Sequence, residues 1–237
     1  MLYISDDLIF AKGKNTRFGL VFRKYSLGGS LLSEKFVESK DIVDPGTLIP
    51  TSQHQYILTK ETFVNGIGYF SLCKLNSSFD TLWSHTIPGF QERQVLMTQD
   101  SCLIIYGGSY GTDEERRIHY HYISVLRFDR NGHLLWRRDE KKNFYESPGT
   151  IVETNKGNYL FSSSIEPFEN KGHMAFIFEL DSAGNEIYEH KFPFPMGEWS
   201  EPSLIQDGKG FTMFSQKWVG KFGEPAKDII LITNLSE

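Results

Sequence analysis

The sequence predicts an all-β fold, a five-bladed β-propeller of four-stranded blades whose last blade is short of one strand. Three observations support it. A strand–turn–strand unit recurs along the chain, a second strand signature recurs with the same period, and no segment has the periodicity and length of a helix. Because the repeats run from end to end without a linker, residues 1–237 are predicted to form a single domain.

The clearest copy of the repeated unit lies in residues 122–136, YISVLRFDRNGHLLW. Its first half is β-branched and aromatic, as a strand requires. Asp129 followed by Gly132 indicates a type I turn, in which the Asp side chain accepts bonds from turn amides and Gly takes the left-handed conformation. Trp136 then lies on the return strand and is expected to be largely buried between its own blade and a neighbouring one. This unit predicts a tight hairpin with a structural Asp at its first turn position.

The turn unit recurs at a nearly constant spacing. Its first positions are residues 26, 76, 129, 181 and 234, which are separated by 50, 53, 52 and 53 residues. The second landmark is a short apolar strand after a polar turn, at residues 8–11, 56–59, 103–106, 159–162 and 211–214. Two landmarks with one period are typical of a repeat architecture, with five copies here.

Four short strands can be traced in each complete repeat. The first strand begins at residues 46, 93, 149 and 202, the second is the apolar landmark, and the third and fourth flank the turn unit. Short, evenly spaced strands of this kind favour a propeller. Residues 1–5 are expected to supply the first strand of blade one, while blade five ends soon after Asn234 without a fourth strand.

The Asp-x-x-Gly-x-x-x-Trp pattern of residues 129–136 resembles the blade turns of quinoprotein-like and related bacterial propellers. Residues 181–188 match it with Tyr in place of Trp, and the earlier copies depart further. The resemblance covers most of the chain and implies the architecture only. No quinone site and no cofactor are predicted.

Charge and composition exclude several classes of function. A formal charge of −5 and a pI near 5.8 argue against a nucleic-acid partner, which needs a basic face. Cys73 and Cys102 look like strand residues rather than a disulfide framework. No apolar run has membrane-spanning length, so no membrane association is predicted. The N-terminus lacks a signal-peptide pattern, so the cytoplasm is the default location, or an extracytoplasmic one if a leader was removed.

Long connections rich in aromatic and charged residues are expected at the blade ends opposite the tight turns. Such loops on a rigid scaffold commonly carry binding sites, although their aromatic residues would also pack over the blade tops as small satellite cores. The main prediction is therefore a non-enzymatic recognition module for a protein, peptide or glycan. Its predicted ligand-binding residues are Arg117, His119, Tyr120, His121, Phe194, Trp199, Glu201 and Trp218.

A carboxylate precedes each first strand, at Asp44, Glu92, Glu146 and Glu201. Carboxylates at a channel mouth suit glycoside hydrolysis, whereas acids before Pro or Gly also serve as plain turn formers. Residues 199–214 resemble a Glu-Pro-Ser stretch of sialidase-type propellers, and residues 43–58 an Asp-Pro segment of five-bladed glycosidases. The sialidase Asp box is missing. The alternative prediction is thus a carbohydrate-active enzyme with Asp44 and Glu201 as catalytic carboxylates.

Two further patterns concern charged and metal-binding residues. If residues 118–122 are extended, His119 and His121 share a face, but no third ligand is evident and no metal site is predicted. Two residues before each anchor stand Lys24, Lys74, Arg127, Glu179 and Ile232. A charged residue in an apolar strand must reach solvent or a partner, so this column predicts solvated edge positions or ion pairs between blades.

Overall fold

The structure is a computed structural model that describes part of the chain. The described residues are 8–11, 19–26, 28–40, 42–51, 54–64, 67–113, 118–140, 144–167, 174–192, 202–207, 210–217 and 228–236. Side chains are described at 19–26, 28–40, 43–51, 54–64, 68–109, 122–140, 148–164, 175–192, 202–206 and 210–214.

Strands account for all the regular structure in the described ranges, and no helix long and apolar enough to span a membrane occurs there. The first nine strands are β1 (Leu8–Ala11), β2 (Gly19–Tyr25), β3 (Leu31–Glu38), β4 (Ile42–Pro50), β5 (Tyr56–Val64), β6 (Ile67–Leu75), β7 (Thr81–Pro88), β8 (Phe90–Met97) and β9 (Leu103–Asp113). The other nine are β10 (Ile118–Phe128), β11 (Leu134–Glu140), β12 (Phe144–Glu153), β13 (Tyr159–Pro167), β14 (Met174–Leu180), β15 (Glu186–Lys191), β16 (Ser203–Asp207), β17 (Gly210–Lys217) and β18 (Asp228–Ser236).

Consecutive strands pair into antiparallel sheets, which confirms the all-β prediction and the four-stranded unit. Three sheets have four strands, β4–β7, β8–β11 and β12–β15, and the sheets β1–β3 and β16–β18 have three described strands each. Residues 1–5, expected to provide a further first strand, lie outside the described residues. The blade count of five stays a prediction.

Residue contacts divide the chain into two compact units, Met1–Gln91 and Glu92–Glu237. In the first unit, the sheets β1–β3 and β4–β7 enclose one core. Its centre is Phe79, which is 4% exposed and stacks on Phe22 and Tyr56. Leu20 and Phe22 of β2 reach this core from alternate positions, and Val21 between them is buried on the other face of the sheet.

Among the described residues of the second unit, a core lies on each side of the sheet β12–β15. Aromatic rings fill the core shared with β8–β11, where Phe161 and Phe178 stack at 4.7 Å. Aliphatic residues dominate the core shared with β16–β18. Hydrogen bonds cross both cores: Tyr106 donates to the Ser162 carbonyl at 2.7 Å, and the Ser162 hydroxyl donates to the Pro202 carbonyl at 2.7 Å.

We call β3, β7, β11 and β15, which follow the anchor turns, the outer strands. Each outer strand begins with a register irregularity just after its turn. The residue passed over in the pairing is Leu32, Leu82, Leu135 or Ile187. These four aliphatic side chains are 55%, 50%, 49% and 53% exposed. A bulge therefore recurs at one position of the repeat and presents an apolar residue outward each time.

Candidate functional site

The anchor turns share one backbone geometry. In the turns of residues 26–30, 76–80, 129–133 and 181–185, the N–H of the first residue donates to the fifth carbonyl and the N–H of the fourth to the first carbonyl. The fourth residue has a positive φ, 82° at Gly29, 60° at Phe79 and 86° at both Gly132 and Gly184. Glycine takes this conformation without strain, which explains three of the four residues.

In the turns at Asp129 and Asp181, the side chain of the first residue makes its hydrogen bonds within its own turn. Asp129 Oδ1 accepts from the N–H groups of Asn131 and His133, both at 2.8 Å. Asp181 makes the equivalent bonds to Ala183 at 2.9 Å and Asn185 at 2.8 Å. These geometries give both Asp residues the structural role that the sequence predicts.

Electrostatics at the Asp129 turn favour the ionised carboxylate. Partial burial opposes ionisation, but the N–H groups of His133 and Asn131 and the His133 ring lower the pKa of Asp129 below its usual value of 3.8. Since the folded pKa lies below the unfolded one, the stabilisation is complete above the unfolded pKa. It is lost as the pH falls through the folded pKa.

We expect Asp129→Ala to lower the free energy of unfolding by about 1 kcal/mol at neutral pH, because turn amides lose their acceptor. Asp129→Asn should keep most of that stability, since Asn76 makes the same bonds, to Ser78 at 2.9 Å and Asp80 at 2.8 Å. The free energy of unfolding of the Asn variant should also fall less steeply than that of wild type as the pH drops below about 4, because Asn does not titrate. Urea titrations across pH measure both effects, and equal losses in the two variants would contradict them.

A second family of turns joins the first and second strands of the sheets, where the sequence predicts a polar turn before each apolar landmark strand. Thr51, Thr98 and Thr154 occupy the first position of these turns, and the turns at Thr98 and Thr154 have the same two backbone bonds as the anchor turns. The hydroxyl of Thr98 accepts from Cys102 N–H at 3.0 Å, and that of Thr154 from Asn158 N–H at 3.2 Å. Thr stands five residues before three of the five landmark strands, at residues 51, 98 and 154, and this recurrence is the signal that the sequence interpretation missed.

Arg127, from the charged column, joins two neighbouring sheets. It is 9% exposed, its guanidinium pairs with Asp100 at 2.6 Å, and it also donates to the Ser182 carbonyl of the next anchor turn. Partial burial of Asp100 opposes ionisation of its carboxylate. The hydrogen bonds from Thr98 and Cys102 and the charge of Arg127 nevertheless keep the pKa of Asp100 below its usual range. Glu179 in the same column accepts from Asn158 at 2.8 Å. These two positions are thus structural.

Trp136 contacts the same neighbouring turn. Its indole N–H donates to the Ser182 carbonyl at 3.1 Å, and a Cβ on Gly184 would lie 2.9 Å from the ring. The ring is partly buried, whereas the sequence interpretation expected it to be largely buried. Arg138, two residues on, pairs with Glu186 of the next sheet at 2.6 Å. The motif residues at these turns therefore hold sheets together and are not available to a ligand.

At its opposite end, the sheet β8–β11 extends into a two-stranded ribbon. The strands β9 and β10 pair over their full lengths, from Leu103↔Phe128 to Asp113↔Ile118. The outer strand β11 pairs only with residues 123–128 of β10. Residues 109–113 and 118–122 thus continue beyond the outer strand as a ribbon.

Three predicted binding residues lie on this ribbon. His119 is opposite Thr112, Tyr120 opposite Gly111, and His121 opposite Tyr110. Because the segment is extended, His119 and His121 share one face of the ribbon, as the sequence analysis supposed. The other predicted residues, Arg117, Phe194, Trp199, Glu201 and Trp218, lie outside the described residues.

Of the two predicted catalytic carboxylates, Asp44 is described and Glu201 is not. Asp44 is exposed on β4 and lies opposite Glu61 of β5, just before a bulge between Pro45 and Leu48. The hydroxyl of Thr59 accepts from the bulged Thr47 N–H at 2.6 Å and so fixes this strand entrance. Among the described side chains, no group of three or more His, Cys, Asp or Glu residues is placed to hold a metal ion.

Comparisons with known proteins give distant structural likenesses. No protein-family model matches the chain, and no curated protein matches it. A solved ACO/RPE65 chimera has 11% sequence identity and a TM-score of 0.48, over 91% of this chain and 53% of that one. An endo-arabinase from Bacteroides thetaiotaomicron has 10% identity and a TM-score of 0.45, over 100% and 95% of the two chains.

The chain spans about half the length of the chimera, 53% in one crystal form and 54% in another. Identities of 10% to 12% and TM-scores of 0.45 to 0.48 assign neither a family nor an activity to this chain.

Proposed function

We propose that the five sheets are the blades of a β-propeller and that the protein is a non-enzymatic recognition module. In this proposal, the blade ends with long connections bind a protein, peptide or glycan. The last blade is short of one strand, and the tight-turn ends serve only to hold the blades together.

The proposal rests on the observation that polar side chains at the tight turns already have partners within the protein. Asp129, Asp181 and Arg127 are all occupied by backbone groups or partner side chains of neighbouring turns. A ligand at these ends would have to displace bonds that stabilise the fold. The β9–β10 ribbon at the opposite end offers paired backbone that extends past its own sheet. Binding residues usually lie on the connections that a rigid scaffold positions.

The experiment is a screen of glycan and peptide arrays with the wild-type chain and a Trp199→Ala/Trp218→Ala double variant. These two Trp residues are chosen from the sequence, because Trp is enriched among residues that dominate binding energy, with losses of about 2 kcal/mol or more on truncation. We expect the double variant to lose binding of the array hit while its melting temperature stays within a few degrees of wild type.

Lys156→Ala provides the matched control, since Lys156 is exposed in the tight turn of residues 154–158. It should bind as wild type does. Binding that survives the double Trp change and is lost in the Lys156 variant would place the site at the tight-turn ends and contradict the proposal.

A carbohydrate-active enzyme is the second candidate, with Asp44 and Glu201 as its catalytic carboxylates. The exposed position of Asp44 on β4 supports it, because a catalytic carboxylate of a glycoside hydrolase has to reach the substrate. A panel of chromogenic glycosides tests it. Turnover that is abolished by Glu201→Gln favours the enzyme, whereas glycan binding that persists without turnover in the same variant favours recognition alone.

A further inference from the structure

The outer strand β3 is an exposed apolar edge. It is the last strand of the sheet β1–β3, and within the described part of the chain no strand pairs with its other side. Seven of its eight residues are exposed. They include Leu31, Leu32, Phe36 and Val37, at 52%, 55%, 44% and 38% exposure. An edge strand with unpaired backbone groups and exposed apolar side chains is a template for pairing with another chain.

The last strands of the three four-stranded sheets carry features that oppose such pairing. β7 ends at Pro88, which has no N–H to donate to a further strand. β11 continues from Trp136 into four successive charged residues, 137–140, and β15 contains Glu186, Glu189 and Lys191. Their exposed apolar residues lie next to the turn only, whereas β3 has such residues at both ends.

The order of residues in β3 makes it complementary to itself. Leu31 and Leu32 stand at one end, Glu34 and Lys35 in the centre, and Phe36 and Val37 towards the other end. When two copies of this strand run antiparallel, the leucines of each face the Phe–Val pair of the other. Apolar cross-strand contacts then form at both ends of the pair.

The central charges do not oppose this arrangement, because each is neutralised within its own chain. Glu34 pairs with Arg23 at 2.6 Å, and Lys35 pairs with Asp80 at 2.5 Å. Like charges that meet across a two-fold axis between the strands would therefore arrive with their counter-ions.

We infer that β3 is the docking edge for β3 of a second copy of this chain. The two strands run antiparallel about an axis near Glu34 and Lys35, and the two three-stranded sheets become one continuous sheet. A strand-to-strand contact is small compared with the roughly 1,200–2,000 Å² of stable interfaces, so the dimer forms reversibly and depends on concentration.

Analytical ultracentrifugation over a wide concentration range tests the inference with wild type, Leu32→Lys and Phe36→Lys. We expect a monomer–dimer equilibrium whose midpoint moves at least about tenfold higher in each variant, because each places a charge in the apolar contact. Leu135→Lys is the control: Leu135 is 49% exposed at the equivalent bulge of β11, and its change should leave the equilibrium unaltered. Thermal melts check that the variants are folded.

Cross-linking tests the position of the axis. In a Cys102→Ser background, either Glu34→Cys or Lys35→Cys should form an intermolecular disulfide under mild oxidation, because a residue on the axis faces its own copy. Lys156→Cys, on the exposed turn of residues 154–158, should not. A chain that stays monomeric at every concentration overturns the inference. So does a dimer that survives both β3 variants, or one that cross-links at neither central position.

Discussion

Phe79→Ala should lower the free energy of unfolding by about 3–5 kcal/mol, the range for loss of a buried Phe ring. Phe79 is 4% exposed, and its ring stacks on Phe22 at 4.7 Å and on Tyr56 at 5.3 Å between centroids. The three rings join the sheets β1–β3 and β4–β7, so truncation leaves a cavity where the two sheets meet. Urea unfolding measures the loss, and a change under about 1 kcal/mol would show that the ring contributes little.

A Phe79→Gly variant separates the ring from the backbone. Phe79 has φ of 60°, a left-handed conformation that costs a residue with a Cβ about 1–2 kcal/mol and glycine almost nothing. Glycine also gives the unfolded chain more freedom, which takes back about 0.4–1 kcal/mol. We therefore expect Phe79→Gly to be more stable than Phe79→Ala by roughly 0.5–1 kcal/mol. The reverse order would mean that the turn is unstrained.

This residue shows what the sequence predicts well and where it stops. The spacing of anchors predicts a turn at residues 76–80, and the structure has one with the same bonds as its copies. The missing Gly looks like a departure from the pattern. It is in fact a position at which Phe keeps the left-handed backbone. The compensation comes from Phe22 and Tyr56, and Phe22 belongs to another sheet, so no local signal reveals it.

The charged column has the same limit. Strand alternation requires Arg127 to find solvent or a partner, and it leaves the choice open. Its partners are Asp100, which is 27 residues away along the chain, and Ser182, which is 55 residues away. Contacts over such separations depend on how neighbouring sheets pack, which local periodicity does not encode. For the same reason, Trp136 was expected to be more deeply buried than the shallow contact with the Gly184 turn allows.

The candidate binding residues were the least predictable part. His119 and His121 fall on a regular strand, so their spacing was enough to anticipate a shared face. Trp199 and Trp218 stand in long connections that have neither a repeat period nor a turn motif. The sequence of these connections therefore does not predict their backbone conformation. The two candidate carboxylates differ in the same way. Asp44 stands near the start of a strand with a defined register, whereas Glu201, which precedes β16, lies outside the described residues.

The other large effect is expected for Gly149→Ala, at the entrance of β12. A Cβ at this position would lie 2.2 Å from the Pro202 carbonyl oxygen and 2.7 Å from Ser162 Oγ. The first contact is to backbone, so the substitution must push β16 away from β12. The hydrogen bond from Ser162 Oγ to the Pro202 carbonyl, at 2.7 Å, would break as a result. Overpacking together with this lost bond should cost about 3 kcal/mol.

Gly46→Ala is the matched control for this change. Gly46 occupies the equivalent place in a Pro-Gly-Thr bulge at the entrance of β4, but it is exposed. With no positive φ to maintain, alanine there should alter the free energy of unfolding by less than about 1 kcal/mol. Denaturant titration of both variants makes the comparison. Similar losses would show that alanine disturbs the bulge itself, whereas a large loss at Gly149 alone would locate the cost in the close approach of Pro202.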